Sequence, residues 1–357
     1  MSDRAPARLA LILLLLAAAA PRAAQEQQPA REEQETVRVY TEEVRLPVVA
    51  YDERERFDPT LSADDVLVLE DGVPQRVRSV RRLPANVLLV FDMGGQVTAT
   101  GAANATREAA QRFLSRLGEG DHVAFIQNRG RAVEVLQDWT QDREAARRVL
   151  TTKLFSANRS RLSECIALAA AKLDERPVGN THVVVFTDGL EAQSRDEIRA
   201  DAISKESLRG LLASQASVHV FGFTSLVNEV VKYKKSVFGE GVINFDFQMR
   251  RWFKNYGLAT KKREGQLQAL AREAGGRLLL PSTAEEVPEM AERVARDVGA
   301  QYVVTYTPLR PFRREGEGEP ERRRAAVSAR RMGLRLFTLR SVVTAPRPET
   351  LDGQGLK

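Results

Sequence analysis

Two aspartates end apolar runs in this chain, and their chemistry is the natural place to begin. Val87–Phe91 is an unbroken run of aliphatic and aromatic residues that stops at Asp92, after which Gly94-Gly95 turns the chain. His182–Thr187 is a second such run, ending in Asp188-Gly189. Unbroken apolar runs of this length suit strands buried on both faces of a parallel sheet. The carboxyl ends of such strands are where open α/β sheets place their ligands. Two such strands would deliver one carboxylate each to the same sheet edge, so the chain is read as built to hold Asp92 and Asp188 close together where ligands bind.

The rest of the chain offers little for catalysis. An aspartyl nucleophile of the phosphate-transferring kind would need a second acid two residues on, and Gly94 stands there. His122, His182 and His219 open or lie within strand-like runs, and none has metal-ligand spacing. No Gly-x-Ser-x-Gly and no phosphate-cradling Gly-Lys-Thr occurs. Cys165 is the only cysteine, so no intrachain disulfide can form; its neighbours Leu162, Ile166 and Ala169 make it a small buried side chain of a helix. The sequence is read as non-enzymatic.

The elements that must position the two aspartates follow from periodicity. From His122 onward the texture alternates strand and helix, which implies parallel strands covered by helices. Helices are expected over 104–117, 142–154, 160–173, 196–213, 264–274 and 284–298. Strands are expected over 122–127, 218–223, 277–280 and 301–307, the last closing the α/β unit. Asn128-Arg129-Gly130 turns 122–127 into an antiparallel edge hairpin with 132–136. The fold class is therefore α/β, doubly wound, with a mostly parallel sheet flanked by helices. A small β domain built from both flanks accompanies it. Its signals are strand-like runs at 36–40, 44–51 and 66–70, an Asp71-Gly72 hairpin turn returning over 75–82, and further strands over 325–331 and 333–343. Ser62 is placed to cap a helical turn over 61–65.

The 357 residues carry a formal charge of +6 and a pI near 9.5, with 43% hydrophobic and 29% charged residues. Arg4 and Arg8 precede Leu9–Leu16, an alanine run and Pro21, which reads as a secretory signal peptide over 1–24. The apolar run is shorter than the roughly 20 residues a membrane-spanning helix needs. An exported chain leaves nucleic acid out as a partner, and anionic surfaces or acidic proteins suit its charge instead, including peripheral association with the envelope. The expected organisation is a leader (1–24), a disordered lead-in (25–35), the β domain (36–84), the α/β domain (85–308), a C-terminal β hairpin packing with the N-terminal β domain (309–345) and a disordered tail (346–357). Within 310–324, blocks of Glu and Arg read as a solvated hairpin tip.

A strand ending in Asp, a following helix, an edge hairpin, a hydroxyl opening a helix, and a strand ending Phe186-Thr-Asp-Gly189 together resemble the von Willebrand factor type A domain. The flanking runs 61–75, Ala274-Gly-Gly-Arg277 and Gln301–Tyr306 are similar to those of a bacterial secreted group related to that domain. The resemblance implies a metal-ion-dependent adhesion site, with Asp92, Ser160 and Asp188 at the positions of its first, second and third loops. It also implies adhesion or protein interaction as the function. The match is incomplete: Gly94 and Gln96 replace the two serines of the first loop. Two carboxylates and one hydroxyl leave at most weak binding of hydrated Mg²⁺ or Mn²⁺. The alternative is a degenerate site in which the aspartates cap backbone amides.

Compact domains of this kind lack the segment 225–262. Between Thr224 and Arg263, counting Arg263, it holds nine Lys/Arg against three Asp/Glu, with seven aromatics. Loops this long are usually functional or disordered, and the aromatics argue against disorder. Lys234, Lys235, Arg250, Arg251, Trp252 and Lys254 are the candidate contacts for an acidic partner at the top edge of the sheet. Two readings stay open: a contact surface, or a lid packing its aromatics inward. At the level of the whole chain, an interaction module competes with a metal-independent structural scaffold of the envelope.

Overall fold

Fourteen strands and six helices are named among the described residues of the computed structural model, which are 43–94, 97–191, 203–229, 247–313, 321–338 and 340–345. Central to them is a six-stranded sheet in the order β10-β9-β8-β5-β6-β7. Its members are β5 (Ala85–Asp92), β6 (His122–Asn128), β7 (Val133–Thr140), β8 (Asn180–Thr187), β9 (Ser217–Gly222) and β10 (Leu278–Leu279). All neighbours are parallel except the edge pair β6 and β7, which are antiparallel as the Asn-Arg-Gly turn required.

Every residue of β5 is buried, because alternate side chains serve two cores. Val87, Leu89 and Phe91 pack with α1 (Ala102–Arg116), α2 (Arg143–Thr152) and α6 (Glu286–Gly299). Leu88 and Val90 pack on the other face with α3 (Leu162–Asp174), α4 (Lys205–Ala213) and the second half of α5 (Phe247–Glu273). Phe125, Phe91, Phe186 and Phe221 form a ladder across four adjacent strands, with successive ring centroids 5.9, 5.6 and 4.8 Å apart. Each such pair adds about 0.5–1.5 kcal/mol beyond the area it buries, and the ladder stiffens the sheet just below its carboxyl edge.

Two four-stranded antiparallel sheets enclose a third core around Leu46, Val48, Val68, Val304 and Tyr306. One has the order β13-β1-β11-β4, from β1 (Val44–Tyr51), β4 (Val77–Arg81), β11 (Gln301–Tyr306) and β13 (Arg335–Phe337). The other has the order β14-β12-β2-β3, from β2 (Val66–Glu70), β3 (Val73–Gln75), β12 (Arg322–Ala329) and β14 (Val342–Thr344).

Three strands go elsewhere than their local pattern suggests. The single strand expected over 333–343 divides into β13, beside β1, and β14, beside β12 in the other sheet. The run 301–306, expected to close the α/β unit, pairs antiparallel with β1 and β4. The return strand expected over 75–82 divides: β3 completes the Asp71-Gly72 hairpin with β2, and β4 crosses to the other sheet beside β11. Buried Gln75 holds the crossing, since its side-chain oxygen accepts the Leu309 N–H at 3.0 Å. The turn after Ser62 forms as expected, with the Asp65 carboxylate accepting from the Ser62 N–H at 2.9 Å.

The leader and lead-in, the strand expected over 36–40, the first part (196–202) of the helix expected over 196–213, the segment 230–246, positions 314–320 of the charged tip and the tail after 345 lie outside the described residues. Among the described residues, no helix is long and apolar enough to cross a membrane.

Candidate functional site

β5 and β8 lie side by side and parallel, with Asp92 opposite Thr187. Asp92 and Asp188 therefore arrive at the same sheet edge, and both are fully buried. Asp92 is enclosed by donors. Its Oδ1 accepts from the Asn128 side-chain amide and from the Arg161 backbone N–H, both at 2.8 Å. Its Oδ2 accepts from the Thr187 hydroxyl at 2.6 Å and the Ser160 hydroxyl at 2.5 Å. A carboxylate has about four lone-pair directions, and the protein fills each of them.

The donors are themselves tied down. Asn128 also donates to the Arg159 carbonyl at 2.7 Å, while its own oxygen accepts the Gly130 N–H at 2.8 Å. Thr187 Oγ1 accepts the Gly189 N–H at 2.7 Å. Asp188 accepts from the Leu190 N–H at 3.2 Å. Ser160, expected as the second-loop hydroxyl, is brought to Asp92 and is 2% exposed. Asn128 and Thr187 belong to the site as well, although the sequence reading did not single them out.

Gly94 shows why the first loop cannot carry its usual serine. A Cβ there would lie 2.0 Å from the Arg159 carbonyl carbon and 2.1 Å from the Ser160 nitrogen. The backbone of 159–160 runs where a first-loop side chain would project, and the Ala157 N–H bonds the Met93 carbonyl at 2.8 Å to hold it there. Gln96 lies outside the described residues. Among the described residues, no three acidic, His or Cys side chains gather to hold a metal ion. This donor set does not fit an octahedral Mg²⁺ or Mn²⁺: Asp92 is saturated and the serine position is filled by backbone.

A buried cation lies beside the third loop. Arg263, on α5, is 1% exposed, and a Cβ on Gly189 would approach its Cγ to 2.6 Å. The Thr224 hydroxyl donates to Glu264 at 2.5 Å, fastening α5 to the carboxyl end of β9. The helix that closes the insert thus meets the rim at Arg263 and Glu264. Arg250, Arg251, Trp252 and Lys254 occupy its first turns, with their side chains outside the description; Lys234 and Lys235 lie outside the described residues altogether.

The described part of the rim has a charged face of its own. Phe155 is 55% exposed, and the Arg129 guanidinium sits 5.2 Å from its ring centroid. Arg129 also donates to the Lys153 carbonyl at 3.1 Å, and Arg161 Nε to the Gly130 carbonyl at 2.8 Å, so the two loops form one surface. Arg131, Lys153 and Arg159 are exposed on it, and Glu134 pairs with Arg129 at 3.2 Å.

Elsewhere the titratable groups read as structural. Burial pushes the Cys165 thiol well up, with Asp92 nearby adding to the effect, so the thiolate is disfavoured. His182 is buried toward the amino end of β8 and His219 in the middle of β9, neither of them at the edge that carries Asp92.

No protein-family model matches the chain, and no characterised protein matches it by sequence. Solved structures resemble it in fold. A von Willebrand factor type A protein from Catenulispora acidiphila aligns over 86% of this chain and 73% of its own, at 11% identity and TM-score 0.43. BatB from Bacteroides thetaiotaomicron aligns over 39% of this chain and 66% of its own, at 18% identity and TM-score 0.32. The von Willebrand domain of the type V pilus tip protein Mfa5 from Porphyromonas gingivalis aligns over 31% and 39%, at 19% identity and TM-score 0.28. This chain spans less than two thirds of the latter two. With its β10-β9-β8-β5-β6-β7 order and with Asp92, Ser160 and Asp188 at its rim, the α/β unit is similar to the von Willebrand factor type A structures it aligns with.

Proposed function

We propose that this chain is an exported, non-enzymatic interaction module whose rim takes an acidic protein or extracytoplasmic ligand without a bound metal ion. The observation that carries the reading is the exposed Phe155 under the Arg129 guanidinium, surrounded by Arg131, Lys153 and Arg159. Aromatic and arginine side chains are the groups that most often anchor interfaces, the ring supplying apolar area and the cation orientation. The basic composition of 225–262, including Lys234, Lys235, Arg250, Arg251, Trp252 and Lys254, extends the same charge preference. Saturation of Asp92 supports independence from metal, since no lone pair is left to bind a cation. The basic and apolar start of the chain supports export.

The test uses a labelled polyglutamate peptide as the probe, with EDTA present and ionic strength varied. Binding is expected to persist in EDTA and weaken with salt, and to fall about tenfold in the combined R131E, K153E and R159E variant. Equal binding by that variant, or loss of binding in EDTA, would overturn the reading. The envelope-scaffold alternative draws on the same saturated Asp92, which acts as a structural tie. It requires envelope association that is indifferent to these rim charges.

A further inference from the structure

Arg340 lies between β13 and β14 and is only 9% exposed. Its guanidinium donates to the Gln215 carbonyl, in the turn before β9, and no carboxylate pairs with it among the described residues. Two other buried cations are treated differently. Arg323 is held by Glu70 and Glu321, and Lys172 by Asp138 and Glu175. Buried charges are normally paired, because an uncompensated one keeps the full cost of its lost hydration. Arg340 bears that cost: burial alone pushes its pKa down to about 10.

The same residue lines a cavity of about 290 Å³, formed where β1, β12 and β14 face the ends of α4 and α5. Val44, Leu212, Val342 and Val343 give it apolar walls. Arg322 and Glu273, 3.3 Å apart, stand at its more exposed side and neutralise each other. The site is built rather than left over. Gly275, at φ 69°, would bring a Cβ within 2.6 Å of the Arg340 Cβ, and Gly276 would bring one within 1.9 Å of the Val218 carbonyl oxygen. The Gly-Gly pair after α5 is what allows the Arg340 backbone to lie against the sheet.

We propose that this cavity binds a small organic monoanion, a carboxylate bearing a short apolar group, with the carboxylate on the Arg340 guanidinium. A guanidinium has five N–H donors in a planar fork that matches a carboxylate, and only one acceptor engages it here. The apolar walls favour a hydrocarbon tail over a strongly hydrated dianion. The volume stands at the lower end of the range of about 300–1,000 Å³ usual for ligand pockets. The site is at the amino ends of the central strands, away from the rim, so it is independent of the interaction reading.

Calorimetry and thermal unfolding of the purified protein with acetate, butanoate, hexanoate and octanoate, and with inorganic phosphate, test the proposal. Affinity and Tm are expected to rise with chain length until the cavity is full, with little response to phosphate. Arg340→Gln is expected to lose about tenfold or more in affinity. Glu273→Gln, a change at a partly exposed position, leaves Arg322 uncompensated and is expected to tighten binding several-fold, which keeps the test decisive should the Arg340 variant fold poorly. No response to any carboxylate, a phosphate response equal to that of hexanoate, unchanged affinity in Arg340→Gln, or weaker binding in Glu273→Gln would each overturn it.

Discussion

Four donors converge on Asp92 from three segments of the chain: the end of β6, the start of α3 and the end of β8. Removing the acceptor takes one bond from each of them, with Asn128 keeping only the Arg159 carbonyl, and each orphaned N–H or O–H costs about 1–3 kcal/mol before the site relaxes. Asp92→Ala is therefore expected to lower stability by about 3 kcal/mol or more, measured by urea unfolding. Asp92→Asn is expected to cost less, because the Ser160 and Thr187 hydroxyls can turn to accept from its amide. Wild-type stability in Asp92→Ala would show that the carboxylate ties nothing together. Asp92, Ser160 and Asp188 were legible in the sequence because each sits where an apolar run ends or a helix begins. Asn128 was not, because a polar amide after a strand reads as the opening of a turn. Only the β5–β6 register, with Phe91 opposite Gln127, brings it to Asp92. Gly94 was legible as a lost ligand, but the backbone at 159–160 that excludes a side chain there comes from a segment more than sixty residues away.

Within the central sheet, β8 and β9 carry the two buried histidines on one face, with ring centroids 6.2 Å apart. Among the described residues, neither ring nitrogen of His182 has a hydrogen-bond partner. Burial first, then the His219 and Arg340 charges, lower its pKa from 6.5 to about 3; burial, then Arg277, lowers that of His219 to about 4. The unfolded chain takes up these protons below about pH 6.5, whereas the folded sheet refuses them until near the lower values, so stability declines as pH falls across that window. His182→Leu is expected to flatten the decline in Tm between about pH 7 and pH 4.5 and to leave Tm at neutral pH equal or higher, since no hydrogen bond is lost. An unchanged acid slope would place the proton uptake elsewhere. Most strands and helices of this layer were legible from apolar runs and helical spacing, but the helix expected from 196 begins at Lys205 and the edge strand expected to end at 136 runs on to Thr140. The destination of 301–306 was not, because a two-sided apolar run states that a strand is buried without saying in which sheet. The backward extension of α5 to Phe247 was also hidden, since its mixed basic and aromatic residues show no clean apolar stripe.

Across the whole molecule, the antiparallel sheets join stretches from both flanks of the α/β unit. Glu70 on β2 accepts from Arg323 on β12 at 2.7 Å and from the Tyr306 hydroxyl on β11 at 2.7 Å, with sequence separations of 253 and 236 residues. Arg323 is 1% exposed, lies 3.9 Å from the Phe312 ring centroid, and also donates to the Pro311 carbonyl at 2.6 Å. Burial and the Glu70 carboxylate both push the Tyr306 phenol well above its usual range, so it remains a donor at any physiological pH. Such contacts close very long loops, and the intervening α/β unit, once folded, lowers the entropy cost of that closure by bringing its ends together. Breaking the pair from one side leaves Arg323 with Glu321 as its one carboxylate, or Glu70 with only the Tyr306 hydroxyl, and Glu70→Leu or Arg323→Met is expected to cost about 3 kcal/mol. The double variant removes both charges and is expected to recover much of that loss, because a buried ion pair is often no better than well-packed apolar groups of similar size. A double-mutant cycle in urea should therefore give a coupling energy of at least about 2 kcal/mol between the two flanks. Additive losses would mean that the flanking strands are held together by packing around Leu46, Val68 and Val304 alone, with the charges as passengers.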